Sequence, residues 1–121
     1  MLRAAKRGEN VLLIAPTGGG KTLAGFLPSL VDLAENENDK GGLHTLYISP
    51  LKALAIDVRR NLEQPVRELG LDIRIDTRTG DTPQHRRQSQ RSNPPQILMT
   101  TPESLALMLS YSDAPSVFRS L

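Results

Sequence analysis

Two rhythms run along this chain: short unbroken apolar runs, and longer stretches in which apolar residues recur with a helical period. Residues 2–7 read as the end of a helix stopped by Gly8. Val11-Leu12-Leu13-Ile14-Ala15 is continuously apolar, the composition of a strand buried on both faces. A glycine-rich turn follows. A helix is then predicted from Lys21 to Glu35, with Leu23, Phe26, Leu27, Leu30, Val31 and Ala34 on one side and a kink at Pro28. Residues 35–42 form a polar loop, and residues 44–49 a second strand. Leu51 to Leu69 carries the cleanest helical pattern, with Leu51, Leu54, Ala55, Val58, Leu62, Val66 and Leu69 at i, i+3, i+4, i+7 spacing. Pro65 kinks or shortens its last turn, and Gly70 ends it.

Residues 71–77 alternate as an outer strand does, and residues 82–90 suggest a short polar helix. Asn93-Pro94-Pro95 breaks the chain before a fourth strand at 96–100 and a helix from Pro102 to Leu109. Strands alternating with helices call for a parallel sheet with crossovers. The expected fold is therefore α/β in three layers, four strands with helices on both faces. Met1 opens inside a helical pattern, and Ser116 to Leu121 resembles the start of another apolar segment. The expectation is one piece of a larger domain.

Composition narrows the function. The chain has 121 residues, 38% hydrophobic and 23% charged, which suits one globular unit and argues against disorder. Without cysteine there is no disulfide framework, no thiolate metal site and no thiol nucleophile. No apolar run approaches the ~18 residues of a membrane span, and residues 1–10 lack the pattern of a signal peptide. The expected compartment is the cytoplasm. A net charge of +2 does not by itself imply nucleic acid. Arg74, Arg78, Arg86, Arg87 and Arg91 stand against Asp76 and Asp81, a local basic excess in which Arg86, Arg87 and Arg91 most simply read as a solvated face. Aromatic residues make up only 3%, too few for a base-stacking platform, so any nucleic-acid contact must be mainly to phosphates.

The chemistry concentrates in Ala15-Pro16-Thr17-Gly18-Gly19-Gly20-Lys21-Thr22, between an apolar run and a helix. This is the context of a phosphate-binding loop. The glycines let successive N–H groups turn inward, and the helix start adds its positive dipole end. Lys21 would reach the β- and γ-phosphates of a nucleotide, and Thr22 would offer its hydroxyl to Mg²⁺. Hydrolysis also needs an acidic residue at another strand end. No strand predicted here ends in one, so no catalytic residue can be named. His44 and His85 lack partners at metal-ligand spacing.

Ser49-Pro50 and Thr101-Pro102 each follow a strand, and both read as an N-cap with proline at the first helical position. In a parallel sheet these starts share the carboxyl edge with the phosphate loop. Lys52 adds a cation, and Thr79-Gly80 forms a further turn at a strand end. On physics alone such helix starts are more often structural than ligand-binding.

Taken together, APTGGGKT (15–22), SPLKALAID (49–57), RTGDT (78–82) and TPESL (101–105) resemble, in order, motif I, motif Ia, the glycine-containing motif and motif Ib of superfamily-two DEAD/DEAH-box helicases. The wording is nearest to the Lhr-type group. The resemblance implies a RecA-like P-loop NTPase fold, here incomplete, with ATP and Mg²⁺ bound through residues 15–22. It also implies a DNA or RNA strand held by its phosphates at Ser49, Pro50, Leu51, Lys52, Thr79, Gly80, Thr101 and Pro102. Family activity is ATP-driven translocation and unwinding. Motif II and the second RecA-like domain are absent from these 121 residues, so residues 1–121 are expected to be part of the first motor domain. Two other readings stay open: a small P-loop kinase or NTPase of another class, and a non-catalytic nucleic-acid-binding module.

Overall fold

A computed structural model describes residues 1–16, 18, 20–36 and 41–121. The chain divides into two compact units, Met1–Asp39 and Lys40–Leu121.

In the first unit, α1 (Leu2–Lys6) lies against α2 (Lys21–Glu35), and Lys6 Nζ donates to the Glu35 carboxylate at 2.9 Å. Phe26, Leu30 and Leu33 form the buried stripe of α2, one turn apart as the sequence period requires. Pro28 sits inside α2 without ending it. The apolar run 11–15 departs from expectation. It forms no strand, and Leu12 and Ile14 are 83% and 82% exposed. An apolar run specifies burial, but a strand also needs a neighbour to pair its N–H and C=O groups. No ladder reaches this run among the described residues, so the sheet has three strands rather than four.

The second unit runs β1 (Thr45–Ile48), α3 (Lys52–Glu68), β2 (Ile75–Arg78), α4 (Gln84–Ser92), β3 (Ile97–Thr100), α5 (Pro102–Leu109) and α6 (Ala114–Val117). The sheet order is β1-β3-β2, and both pairings are parallel. β3 is the central strand. Its residues Ile97, Leu98, Met99 and Thr100 are all buried, as an unbroken apolar run between two neighbours predicts. β2 is an outer strand, as its alternation predicts, but its ladder begins only at Ile75. Just before it, the Arg74 N–H turns to the Gln96 side-chain oxygen at 2.9 Å.

Helices cover both faces. α3 packs on β2 and β3, and it buries Ala55, Val58, Leu62 and Val66. Leu98 instead joins Leu43 and Met108, with Leu46, Leu105 and Phe118 around them, so α5 and α6 close the other side. The short α6 is not expected from sequence, and only its Ser116 and Val117 belong to the stretch 116–121 read as the start of another apolar segment. Pro65 lies inside α3, which continues to Glu68. Among the described residues, no helix is long and apolar enough to cross a membrane.

Leu62 is 1% exposed under this sheet. Leu62→Ala should destabilise the sheet unit by about 3 kcal/mol, the combined transfer and cavity term for a buried leucine. Urea unfolding followed by circular dichroism measures it.

Candidate nucleotide and nucleic-acid sites

The glycine-rich segment is built as its residue types require. Gly18 and Gly20 sit at φ +82° and +70°, left-handed conformations that a side chain would strain. Gly20 is the N-cap of α2, and the first helical bond runs from Ala24 N–H to Gly20 C=O at 3.0 Å. The N–H groups of Lys21, Thr22 and Leu23 therefore precede every intrahelical acceptor and face the loop end. Lys21 folds back over the turn. Its ammonium donates to the Ala15 carbonyl at 2.5 Å and the Pro16 carbonyl at 2.8 Å. The Thr22 residue is exposed in the first turn. Thr17 and Gly19, also assigned to this site from sequence, lie outside the described residues.

This donor set fits a phosphate group: forward-facing amides, a helix dipole and one cation at one point. It fits Mg²⁺ only through the Thr22 hydroxyl. Among the described residues, no group of three His, Asp or Glu side chains is arranged to hold a metal. A magnesium ion here would take its other ligands from the phosphates and water.

The second unit gathers the other sequence-selected residues at the carboxyl ends of its strands. Register alone brings them level, because Ile48, Thr100 and Arg78 are cross-strand partners. The Ser49 N–H donates to the Thr100 carbonyl at 2.9 Å, and Thr100 Oγ1 donates to the Arg78 carbonyl at 2.7 Å. Thr101 caps α5 as expected, its hydroxyl accepting from the Ser104 N–H, and Pro102 is the first helical residue. Ser49-Pro50 corrects the sequence reading. Leu51, not Ser49, is the N-cap of α3, and Pro50 is not a helical position. Ser49 is buried, and its hydroxyl accepts from the Leu51 N–H at 3.3 Å, making a serine turn ahead of the helix. The free first-turn N–H groups are consequently those of Lys52, Ala53 and Leu54.

Lys52 reaches from α3 to the β2–α4 turn. Its ammonium meets both carboxylate oxygens of Asp81 at 3.2 Å. A Cβ on Gly80 would stand 3.5 Å from that nitrogen, so the missing side chain leaves the cation room. The turn itself is tightly held. The Thr79 N–H donates to Thr82 Oγ1 at 2.9 Å, and that hydroxyl donates onward to the Thr77 carbonyl at 3.4 Å. Arg87 on α4 donates to the carbonyls of Thr82 at 2.7 Å, Gly80 at 2.6 Å and Thr79 at 3.3 Å.

The basic run is thus not a solvated face. Arg86 and Gln90 of α4, with Arg59 of α3, converge on Asp76. Arg91 bonds Asp113 at 2.7 Å and lies 4.4 Å over the Tyr111 ring, and that bond holds the Asp113 carboxyl below the usual range. Arg78 is only 2% exposed, and burial, then the nearby Arg87 charge, pulls its guanidinium below the ordinary arginine range. Sequence reasoning gave Arg87 to a solvated face and assigned no role to the Arg78 side chain or to Gln90, because residue spacing does not say which arginine a helix will cover.

A three-stranded parallel sheet between helical layers, together with a glycine turn opening a helix, defines a RecA-like α/β protein of the P-loop class. The chain belongs to the DEAD/DEAH box helicase family, whose profile it matches over residues 1–121. It is 48% identical over 118 residues to the Lhr helicase/probable uracil glycosylase of Mycolicibacterium smegmatis, covering 88% of this chain and 8% of that protein. It is 45% identical over 117 residues to the ATP-dependent helicase Lhr-Core protein 2 of Thermococcus barophilus, covering 86% of this chain and 14% of that one. Among solved structures, Mycobacterium smegmatis helicase Lhr bound to ssDNA and AMP-PNP superposes with a TM-score of 0.82 at 46% identity, over 98% of this chain and 16% of that one. The chain thus spans about a tenth of the length of these relatives.

Thr82→Val keeps the shape of the turn but leaves the Thr79 N–H without its acceptor. It should destabilise the sheet unit by about 1–3 kcal/mol and raise amide exchange at Thr79 and Asp81 above that at β3. Hydrogen exchange read residue by residue tests this.

Proposed function

We propose that residues 1–121 form part of the first RecA-like domain of an ATP-dependent helicase, binding ATP with Mg²⁺ and gripping a nucleic-acid strand by its phosphates. The observation that carries the reading is the Lys21 ammonium folded over a turn with two left-handed glycines, directly before the open amides of α2. An incoming phosphate would exchange with the Ala15 and Pro16 carbonyls for that ammonium. Ala15, Pro16, Thr17, Gly18, Gly19, Gly20 and Lys21 would surround it, and Thr22 would contribute one oxygen to the metal. The similarity to a relative described as bound to ssDNA and AMP-PNP supports both ligands.

Strand binding falls to the rim of the second unit. Ser49, Pro50, Leu51 and Lys52, with Thr79, Gly80, Thr101 and Pro102, offer hydroxyls, backbone amides and one cation at a single edge. None of these groups distinguishes one base from another, so the grip is on the backbone. Asp81 holds the Lys52 cation in the free protein, and a strand phosphate would have to take its place.

Turnover needs a carboxylate at a strand end. β1, β2 and β3 lead instead into Ser49, Thr79 and Thr101. These 121 residues should therefore bind nucleotide without hydrolysing it, with hydrolysis and unwinding belonging to the longer protein.

Titration with a fluorescent ATP analogue and Mg²⁺ should give saturable binding that Lys21→Ala weakens at least about tenfold, the loss of one charge-assisted contact. Unchanged binding in the variant removes the loop from the site. For the rim, Lys52→Ala should weaken single-stranded DNA binding regardless of sequence and lower the salt slope by about 0.7, while Asp81→Asn should tighten binding. Anisotropy at several salt concentrations reads both, and a slope unmoved by Lys52→Ala contradicts the rim assignment.

A further inference from the structure

A cleft of about 440 Å³ opens between α4 and the corner joining α5 to α6, lined by Arg78, Gln84, Arg87, Gln88, Arg91, Ser92, Tyr111 and Asp113. Its helical wall follows from spacing: Gln84, Arg87, Gln88, Arg91 and Ser92 recur at three and four residues along α4. Three guanidinium groups stand against one carboxylate, and that carboxylate is already bonded to Arg91.

Arg78 is the unusual member. It lies at the end of β2, 2% exposed, and its side chain makes one hydrogen bond, from Nη1 to the Arg87 carbonyl at 3.2 Å. A guanidinium carries five N–H donors and keeps its proton in proteins. A buried charge so thinly partnered is costly unless an anion completes it. None of its nitrogens is both sealed from solvent and without a partner, since Gln90 Oε1 is the one such side-chain atom among the described residues. The unused Arg78 donors therefore keep some access to solvent, and Arg78 lines both this cleft and a smaller apolar pocket beside it.

We infer that this cleft is an oxyanion site for a phosphate group, with the Arg78 guanidinium as its floor and Arg87, Arg91, Gln84, Gln88 and Ser92 as its walls. The cleft is too wide and too basic for one carboxylate, whereas a phosphate presents several acceptor oxygens to several forks at once. Arg91 stacks on one face of Tyr111, the one aromatic side chain lining the cleft. Recognition is of the phosphate alone, free or within a nucleic-acid backbone. The site shares no residue with the glycine loop at 15–22 or with the rim residues assigned above. Only the backbone source rests on the strand-binding reading.

The test is titration of the 121-residue chain with inorganic phosphate, followed by NMR of the arginine Nε–H signals. Saturable shifts are expected at Arg78, Arg87 and Arg91, and they should persist in Lys21→Ala, in which the loop is silenced. Arg78→Met should abolish them. Gln88→Glu, an exposed change on the cleft wall that spares the core, should weaken binding at least about tenfold by adding a like charge. A short single-stranded oligonucleotide that shifts the same signals and displaces phosphate identifies the backbone as source. An oligonucleotide that leaves them unmoved identifies the free ion, and the site stands in either case. Absence of saturable shifts, equal shifts in Gln88→Glu, or shifts that vanish in Lys21→Ala overturn the proposal. The last of these outcomes would tie the shifts to the glycine loop, and the first two leave the nucleotide reading untouched, because the ATP titration tests it separately.

Discussion

Parallel pairing of β1 and β2 to opposite edges of β3 is the constraint on which the rim proposed to hold a strand depends. Once Ile48, Thr100 and Arg78 share a register, the residues that follow each strand must emerge at one edge. Ser49, Thr79 and Thr101 are separated by 30 and 22 positions in the chain, and they meet because backbone hydrogen bonds admit one alignment. The Ser49 amide and the Thr100 hydroxyl extend that alignment past the ladder. The turn after β2 is then stitched by Thr82 from within and by Arg87 from the neighbouring helix. A rim of small polar residues is thereby held stiff without bulky side chains blocking a ligand.

The layer built by α4 has a different physical basis. Most helices bury an apolar stripe, whereas α4 buries Gln90 and covers β2 with arginines. Asp76 gathers Arg59, Arg86 and Gln90, and Arg78, two residues on, lines the cleft beside α4. A helix held by charge-assisted hydrogen bonds has a fixed orientation, because each bond is directional where apolar contact is not. The same economy leaves charge available: guanidinium groups that position a turn also line a cleft.

Much of this was legible in the residues. The period of α3, the limits of α2 and α5, the outer position of β2 and the apolar run that forms β3 followed from spacing and breakers, whereas the central place of β3 did not. The RecA-like class and the helicase family followed from four motifs in order, and the family match and relatives agree. The misses share a cause. Residues 11–15 are apolar enough for a strand, but pairing is a property of two segments and cannot be read from one. Ser49-Pro50 carries a common helix-start signature, yet the buried serine hydroxyl turned to Leu51 and moved the cap two residues on.

Residue order alone determined the local chemistry of this protein: which turns need glycine, which helices have an apolar face, and where a cation stands next to a glycine-rich loop. Those are short-range matters, decided by φ limits, side-chain period and charge. Tertiary structure alone decided that Arg78 is buried while its donors remain unused, that Arg87 braces the rim, and that Lys52 meets Asp81 across 29 positions. Burial and pairing of charge depend on which distant segments pack together, and a one-dimensional pattern carries no term for that.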